Sequence, residues 1–248
     1  MTGADGSAWL RRVGAELLGL MLPVGCAGCG EDDEPWCPDC RRSLAGPAWR
    51  CEQRAGRLDL LDGRTPPWWA VADFTGPVRR AVSAWKDHGR SDLTVPFTAG
   101  VRTAARAAVP TLVGTGDVLV VPLPSTAAAR RSRGWDPVGA LASAVADELG
   151  LRGVQARASA PLRRTAGADQ SGLSARARSR NLAGHVHVHR SARLLGARVL
   201  LVDDVLTTGA TAAAATDVLA GAGAQVLGGV VLASTPPPGL LVGGPSAR

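Results

Sequence analysis

Short runs of consecutive apolar residues recur along this chain, separated by longer stretches whose apolar positions follow a helical period. Val199-Leu200-Leu201-Val202 and Val118-Leu119-Val120-Val121 are apolar throughout, the pattern of strands buried on both faces of a parallel sheet. Trp68 to Phe74 and Gln225 to Ser234 read as further strands, and His185 to His189 alternates His with Val as a half-exposed strand does. Leu10, Val13, Leu17 and Met21 recur at helical spacing and predict an amphipathic helix over Ser7 to Leu22. Further helices are expected over Gly76 to Lys86, over Leu93 to Ala108, and over Asp136 to Leu149, where Val138, Leu141, Val145 and Leu149 share a face. An Ala-rich run, Ala212 to Ala220, continues as a helix broken by Gly221 and Gly223. Strands alternating with helices imply an α/β fold, a mostly parallel sheet flanked by helices.

Between these elements the pattern weakens. From Arg41 to Pro67 the chain is polar and Gly-rich with little periodicity, which reads as a linker or irregular extension. Arg163 to Arg180 is long, polar and Arg-rich, the composition of a mobile loop beside a site. A Pro-Gly tail from Pro236 is expected to be disordered. The resulting division is an N-terminal helix (1–23), a cysteine module with linker (24–67), a main domain (68–234) and a tail (235–248).

The chain has 248 residues, enough to bury a full core, and a formal net charge of +7 with a pI near 10.3. Nearly all of the basic charge is arginine, and Lys86 is the only lysine. The charge is uneven: from Ser125 to Arg198 there are thirteen arginines against four acids, a balance that suits a polyanionic ligand or a solvated surface. Arg11-Arg12 precede an apolar stretch ending at Gly25-Cys26, superficially like a secretory signal, but Glu16 interrupts it and Pro23 sits badly for a lipobox. The run is also too short to span a bilayer. A cytoplasmic protein without membrane insertion is expected.

Two C-x-x-C knuckles, Cys26/Cys29 and Cys37/Cys40, are separated by seven residues. They supply four thiolates, the number a tetrahedral structural zinc requires, and a site closed by four cysteines is structural rather than catalytic. Disulfides are the competing reading, disfavoured in a cytosolic chain. Cys51 is left over, either the remnant of a second knuckle or a free thiol.

The sharpest signal follows the strand at 199–202. Asp203 and Asp204 stand at its end, then Thr207-Thr208-Gly209-Ala210-Thr211 turns into the Ala-rich helix. Such a turn offers unpaired main-chain N–H groups and hydroxyls, which suit a phosphate at a helix N-terminus. The acidic pair would repel that phosphate, so it should face sugar hydroxyls, a cation, or both. Together they point to a phosphorylated sugar bound with a metal ion. His185, His187 and His189 share a strand face, where they are expected as the polar outward positions rather than as metal ligands. Trp68, Trp69, Trp85 and Trp135 are expected to pack rather than to stack on bases.

This acidic pair and turn resemble the binding signature of type I phosphoribosyltransferases. Other segments narrow the resemblance to the ComF/GntX family. Val121-Pro122-Leu123-Pro124 with Arg130-Arg131-Ser132-Arg133-Gly134-Trp135-Asp136 is similar to that family's Val-Pro-x-Pro…Arg-Gly-Phe-Asn-Gln element. Gln170, Leu173, Ser174, Arg178 and Asn181 match its Gln…Leu-Ser…Arg…Asn run, and Trp85-Lys86-Asp87-His88-Gly89-Arg90 resembles its Leu-Lys-Phe-x-Gly-Arg element. The resemblance covers the chain from Leu17 to about Ser234. Asp136-Pro137 stand where the family usually has Asn-Gln, and its second cysteine cluster is reduced to Cys51.

The resemblance implies a type I phosphoribosyltransferase-like fold and a site for phosphoribosyl pyrophosphate (PRPP) with Mg²⁺. Asp203 and Asp204 would contact the ribose hydroxyls, and Thr207, Thr208, Gly209, Ala210 and Thr211 would hold the 5-phosphate. The turn at Pro122, Leu123 and Pro124 would approach the pyrophosphate, with Lys86, Arg133 and Arg178 as countercharges. If active, the chain would be a phosphoribosyltransferase of unidentified acceptor. The other readings are a non-catalytic DNA-uptake (competence) factor, binding single-stranded DNA or competence proteins through the same domain, and a PRPP- or nucleotide-sensing domain without turnover.

Overall fold

The computed structural model describes residues 25–32, 34–58, 65–125, 134–165, 185–190 and 192–237. The helix expected over Ser7 to Leu22, the greater part of the Arg-rich loop and most of the expected tail lie outside the described residues. In chain order the strands are β1 (Trp49–Arg50), β2 (Trp68–Ala70), β3 (Ala72–Asp73), β4 (Val118–Pro122), β5 (Ala156–Ala158), β6 (Leu162–Arg164), β7 (Val186–Val188), β8 (Arg198–Leu206) and β9 (Gln225–Ser234). The helices are α1 (Pro38–Arg41), α2 (Gly76–Asp87), α3 (Thr94–Leu112), α4 (Pro137–Leu151) and α5 (Ala210–Gly221).

Seven strands form one sheet in the order β1-β2-β9-β8-β4-β5, with β3 also pairing β9. Every pairing in it is parallel except that of β1 with β2. The α/β architecture expected from the alternating pattern is therefore the one observed. Residues 199–202 are fully buried at its centre. Their alternation divides the core: Leu200 and Val202 face the layer containing α3 and α4, while Val199 and Leu201 face the layer containing α5. Burying each such side chain contributes about 1.5–3 kcal/mol.

Several boundaries differ from the sequence reading. β8 runs to Leu206, past the acidic pair, because β9 continues beside it and pairs Asp203 with Val231, Val205 with Ala233 and Leu206 with Ser234. The strand expected over Trp68 to Phe74 is kinked at Val71, whose N–H nevertheless reaches the Leu232 carbonyl at 3.3 Å. α3 extends to Leu112, since Pro110 falls in its last turn and its buried stripe continues through Ala108 to Leu112. The loop expected from Arg163 instead opens with the end of a strand, Leu162–Arg164, antiparallel to Val186–Val188.

The segment read as a linker or irregular extension is packed against the main domain. β1 adds an antiparallel edge to the sheet, and Cys51, Ala55 and Leu58 are buried in the α5-side core. A polar segment with only a few apolar residues shows no period, yet Leu44, Cys51, Ala55 and Leu58 among them are buried. One glycine pair on β9 explains how closely the segment is followed by β2. A Cβ on Gly229 would lie 2.4 Å from the Trp68 ring, and one on Gly228 would lie 2.3 Å from the Pro67 carbonyl oxygen. Only glycine lets that fully buried indole lie against the strand.

Asp136-Pro137, a departure from the resembled family, begins α4. The Asp136 carboxylate accepts from the Gly139 N–H at 3.1 Å, and Pro137 occupies the first helical position. α4 is tied to α3 by buried Glu148, which accepts from Arg106 at 2.6 Å and from Arg152 at 3.2 Å.

Candidate functional site

Two adjacent residues on a strand point to opposite faces, so the acidic pair divides between the two layers. Asp204 is 2 % exposed and lies on the α2 side, where its Oδ2 sits 2.7 Å from Lys86 Nζ. Asp203 is partly exposed, and its Oδ1 accepts the Asp204 N–H at 2.9 Å. Burial, followed by the neighbouring Asp204 carboxylate, pushes the Asp203 carboxyl well above the usual carboxylate range, with Lys86 pulling the other way.

Both carboxylates line a cleft of about 520 Å³ at the carboxyl end of the sheet. One wall is α2, which contributes Arg79, Ser83 and Lys86, residues spaced to recur on one helical face. Its other face buries Val78, Ala81, Val82 and Trp85, which hold the helix on the core. The cleft is also lined by Leu123, Pro124 and Ser125 after β4 and by Arg164 of β6. Leu123 is fixed by its N–H, which donates to the Val202 carbonyl at 2.8 Å. Pro122 is the last residue of β4.

The cleft adjoins a smaller cavity of about 200 Å³ lined by Asp203 and by residues 207–211. Here the sequence expectation of a turn opening a helix is met: Gly209 has φ +79° and α5 starts at Ala210. No side chain caps α5. The Thr208 hydroxyl accepts a long 3.4 Å contact from the Ala210 N–H. The first main-chain N–H groups of the helix thus lie beside this cavity without a strong side-chain cap, an arrangement that suits an anion.

Of the residues singled out in the sequence, Asp203, Asp204, Lys86, Leu123, Pro124, Thr207, Thr208, Gly209, Ala210 and Thr211 therefore meet around two adjoining cavities. Arg133, Arg178 and the Gln170-to-Asn181 run lie outside the described residues. Sequence reasoning missed Arg79 and Arg164. Arg79 was legible as the residue seven before Lys86 on one helix; Arg164 sat in a segment read as loop. The donor set at the cleft floor is carboxylate and hydroxyl oxygen, which suits a hard divalent cation.

The four knuckle cysteines come together behind α2. Their sulfurs all lie within 4.8 Å of one another, with Cys29 Sγ and Cys37 Sγ 3.6 Å apart. Four sulfurs each about 2.3 Å from one ion require about this spacing, so the set can hold a metal such as zinc. Cys26 Sγ accepts from the Gly28 N–H at 3.4 Å and the Cys37 N–H at 3.3 Å. Burial works against its thiolate, but these and other main-chain contacts outweigh it and bring the Cys26 thiol down to about 6. Cys51 stands apart, buried against β2, and burial pushes its thiol up to about 12.

The module is bolted to the cleft wall. The Arg80 guanidinium on α2 donates to the Gly28 carbonyl, and Arg90 donates to the Gly25 and Pro35 carbonyls at 3.2 and 3.1 Å. Edge-to-face contacts run from Trp36 to Phe97, from Phe97 to Trp85 and from Trp85 to Trp135, so these indoles pack. Trp68 and Trp69 are buried as well. Half-exposed His185, just before β7, and His187 within it lie beside the Thr165 hydroxyl at 3.3 and 3.5 Å. Among the described residues no helix is long and apolar enough to cross a membrane.

The family model described as phosphoribosyl transferase domain matches residues 106–240, just over half of the chain. An adenine phosphoribosyltransferase of Frankia alni is 57% identical over 47 residues, and one of a Parafrankia species is 55% identical over 47. These matches cover 19% of this chain and 25% and 26% of the relatives, so the chain spans about a quarter of their length. A hypoxanthine phosphoribosyltransferase structure from Staphylococcus aureus is 16% identical over 58% of this chain and 65% of that one, with a TM-score of 0.35. An orotate phosphoribosyltransferase structure from Aeropyrum pernix is 17% identical over 74% and 90%, with a TM-score of 0.29.

Proposed function

Because the chain belongs to the phosphoribosyl transferase domain family and has its type I fold, we propose that it is a ComF-type, cytoplasmic member that binds PRPP or a related phosphorylated ribose together with Mg²⁺. The observation that carries this reading is the meeting, at one sheet end, of a main-chain anion cradle at 207–211 and an acidic pair on the floor of a cation-walled cleft. Neither half alone would select such a ligand; side by side they match a phosphate and the hydroxyls of its sugar.

In this reading Asp203 and Asp204 accept hydrogen bonds from the ribose hydroxyls, and the turn at 207–211 holds the 5-phosphate. The 122–125 segment approaches the pyrophosphate, with Lys86, Arg79 and Arg164 as countercharges and Arg133 and Arg178 as further candidates. Mg²⁺ arriving with the ligand would be held on the side of Asp203 and Asp204 and would neutralise pyrophosphate charge. If the protein turns over, an acceptor nucleophile bonds to C1 as the C1–O bond to pyrophosphate breaks, and the electron pair leaves with pyrophosphate. The protein's part is then positional and electrostatic: the carboxylates orient the sugar and face the positive charge that develops on it. The cysteine module is proposed to hold structural zinc.

The test is calorimetric titration of PRPP with Mg²⁺ into the wild type and an Asp203→Asn/Asp204→Asn variant. Saturable binding that the variant loses supports the reading and warrants a screen of acceptors for pyrophosphate release. No binding by a folded, zinc-loaded wild type would overturn it. A salt-sensitive affinity for single-stranded DNA in that protein would then favour the DNA-uptake reading.

A further inference from the structure

The anion cradle works only if its peptide planes are turned so that N–H groups, not carbonyls, face the cavity. The peptide between Thr208 and Gly209 is held by a residue far away in sequence. The Arg57 main-chain N–H donates to the Thr208 carbonyl at 3.1 Å. No described peptide bond is cis. In a planar trans peptide the C=O and N–H point in opposite directions. Fixing the Thr208 carbonyl toward Arg57 therefore directs the Gly209 N–H away from Arg57, to the cavity that Thr208, Gly209 and Ala210 line.

The segment that carries Arg57 is itself immobilised. Cys51 N–H donates to the Trp68 carbonyl at 2.8 Å, and the Glu52 carboxylate accepts the Trp68 N–H at 3.0 Å. Arg54 pairs with Asp73 at 2.5 Å and lies over the Trp49 ring at 4.0 Å. Ala55 and Leu58 are buried against the turn: a Cβ on Gly209 would lie 2.8 Å from Leu58 Cγ and 3.1 Å from Ala55 Cβ. A side chain at 209 would push the clamp off the cradle.

We infer that the Arg57 main-chain amide is a positioning group for phosphomonoester binding: it orients the Gly209 N–H toward the anion, with Leu58 and Ala55 setting its distance. This rests on the phosphoribosyl reading of the site and adds to it a component contributed by the segment before the phosphoribosyl transferase domain match. The contact is made by the Arg57 main chain, which separates it from an ordinary charge effect.

The experiment titrates ribose 5-phosphate into the wild type, Arg57→Ala and Arg57→Pro, following affinity by calorimetry and Gly209 by its amide signal in ¹H–¹⁵N correlation spectra. Arg57→Ala keeps the N–H and is expected to bind within about twofold of the wild type; Arg57→Pro removes it and should bind about tenfold more weakly. Proline is poorly tolerated at the third position of the Ala55-to-Leu58 turn, so the wild-type spectrum provides a second readout. Its Gly209 amide should move strongly on ligand addition while the Arg57 amide stays protected from hydrogen exchange. A folded Arg57→Pro that binds as the wild type does, or a Gly209 amide that ignores a bound ligand, overturns the inference alone. A wild type that does not bind ribose 5-phosphate overturns the underlying reading, and the inference with it.

Discussion

Replacing Lys86 by Met should cost about 2 kcal/mol of stability, and the cost should depend on Asp204 and on pH. Opposite charges 2.7 Å apart attract by about 6 kcal/mol at an effective dielectric near 20 and by about 1.5 kcal/mol in bulk water. Asp204 is 2 % exposed but the Lys86 side chain is 30 % exposed, so water reaches one partner and the value lies toward the lower end. Removing that partner leaves a buried carboxylate without its cation, which is where the loss arises. In a chain of this size about 2 kcal/mol lowers Tm by roughly 4–8 °C. The sign of the pH dependence follows from Asp203, whose carboxyl is held above its unfolded value. A raised carboxyl destabilises the fold increasingly as pH rises from the ordinary carboxylate range through the raised value. Lys86 relieves this, so its loss should be felt more at pH 8 than at pH 4. Urea unfolding of the wild type, Lys86→Met, Asp204→Asn and the double variant completes a cycle. Effects that add within about 0.5 kcal/mol, or a loss that does not vary with pH, would refute the reasoning.

Three other outcomes are expected. Glu148→Gln should cost about 2 kcal/mol at neutral pH, the scale of a hydrogen bond to a charged group, measured by urea unfolding. Because Arg106 holds Glu148 below its ordinary range, the difference should fade as pH drops through that depressed value. Gly209→Ala places a side chain at φ +79° against Leu58, so it should lower stability by about 1–3 kcal/mol and weaken ribose 5-phosphate in the same titration. Protein prepared without added metal should contain one zinc per chain by elemental analysis, and Cys37→Ser should lose it.

The strands at the centre of the sheet were legible because burial on both faces leaves no polar position: residues 118–121 and 199–202 admit no other reading. Site residues on β8 and the following turn were legible for a related reason, since two carboxylates directly after a fully apolar run have few structural uses. What stayed hidden depends on partners distant in sequence. Nothing in 49–58 announces that Trp49 pairs Ala70 or that Arg57 reaches Thr208, because each is a main-chain bond that any residue type can make. The helix expected from Asp136 does begin there, because Asp136 caps it and Pro137 takes its first position, local chemistry that needs no distant partner. Arg164 was missed because its strand is three residues long and pairs only with another of the same length.

Lys86 also gives the molecule an unusual chemical address. Its amine is the only lysine amine in 248 residues, and it stands at the cleft beside the acidic pair. An amine-directed probe used above neutral pH would therefore mark one side chain, at the centre of the site, instead of a scattered surface population. Mass spectrometry of the peptide that carries Lys86, kept apart from the α-amine that the same reagent modifies, would report whether the cleft is occupied, with ligands appearing as protection and competitors ranked without any assay of turnover. Few proteins of this size allow a cavity to be read by so common a reagent.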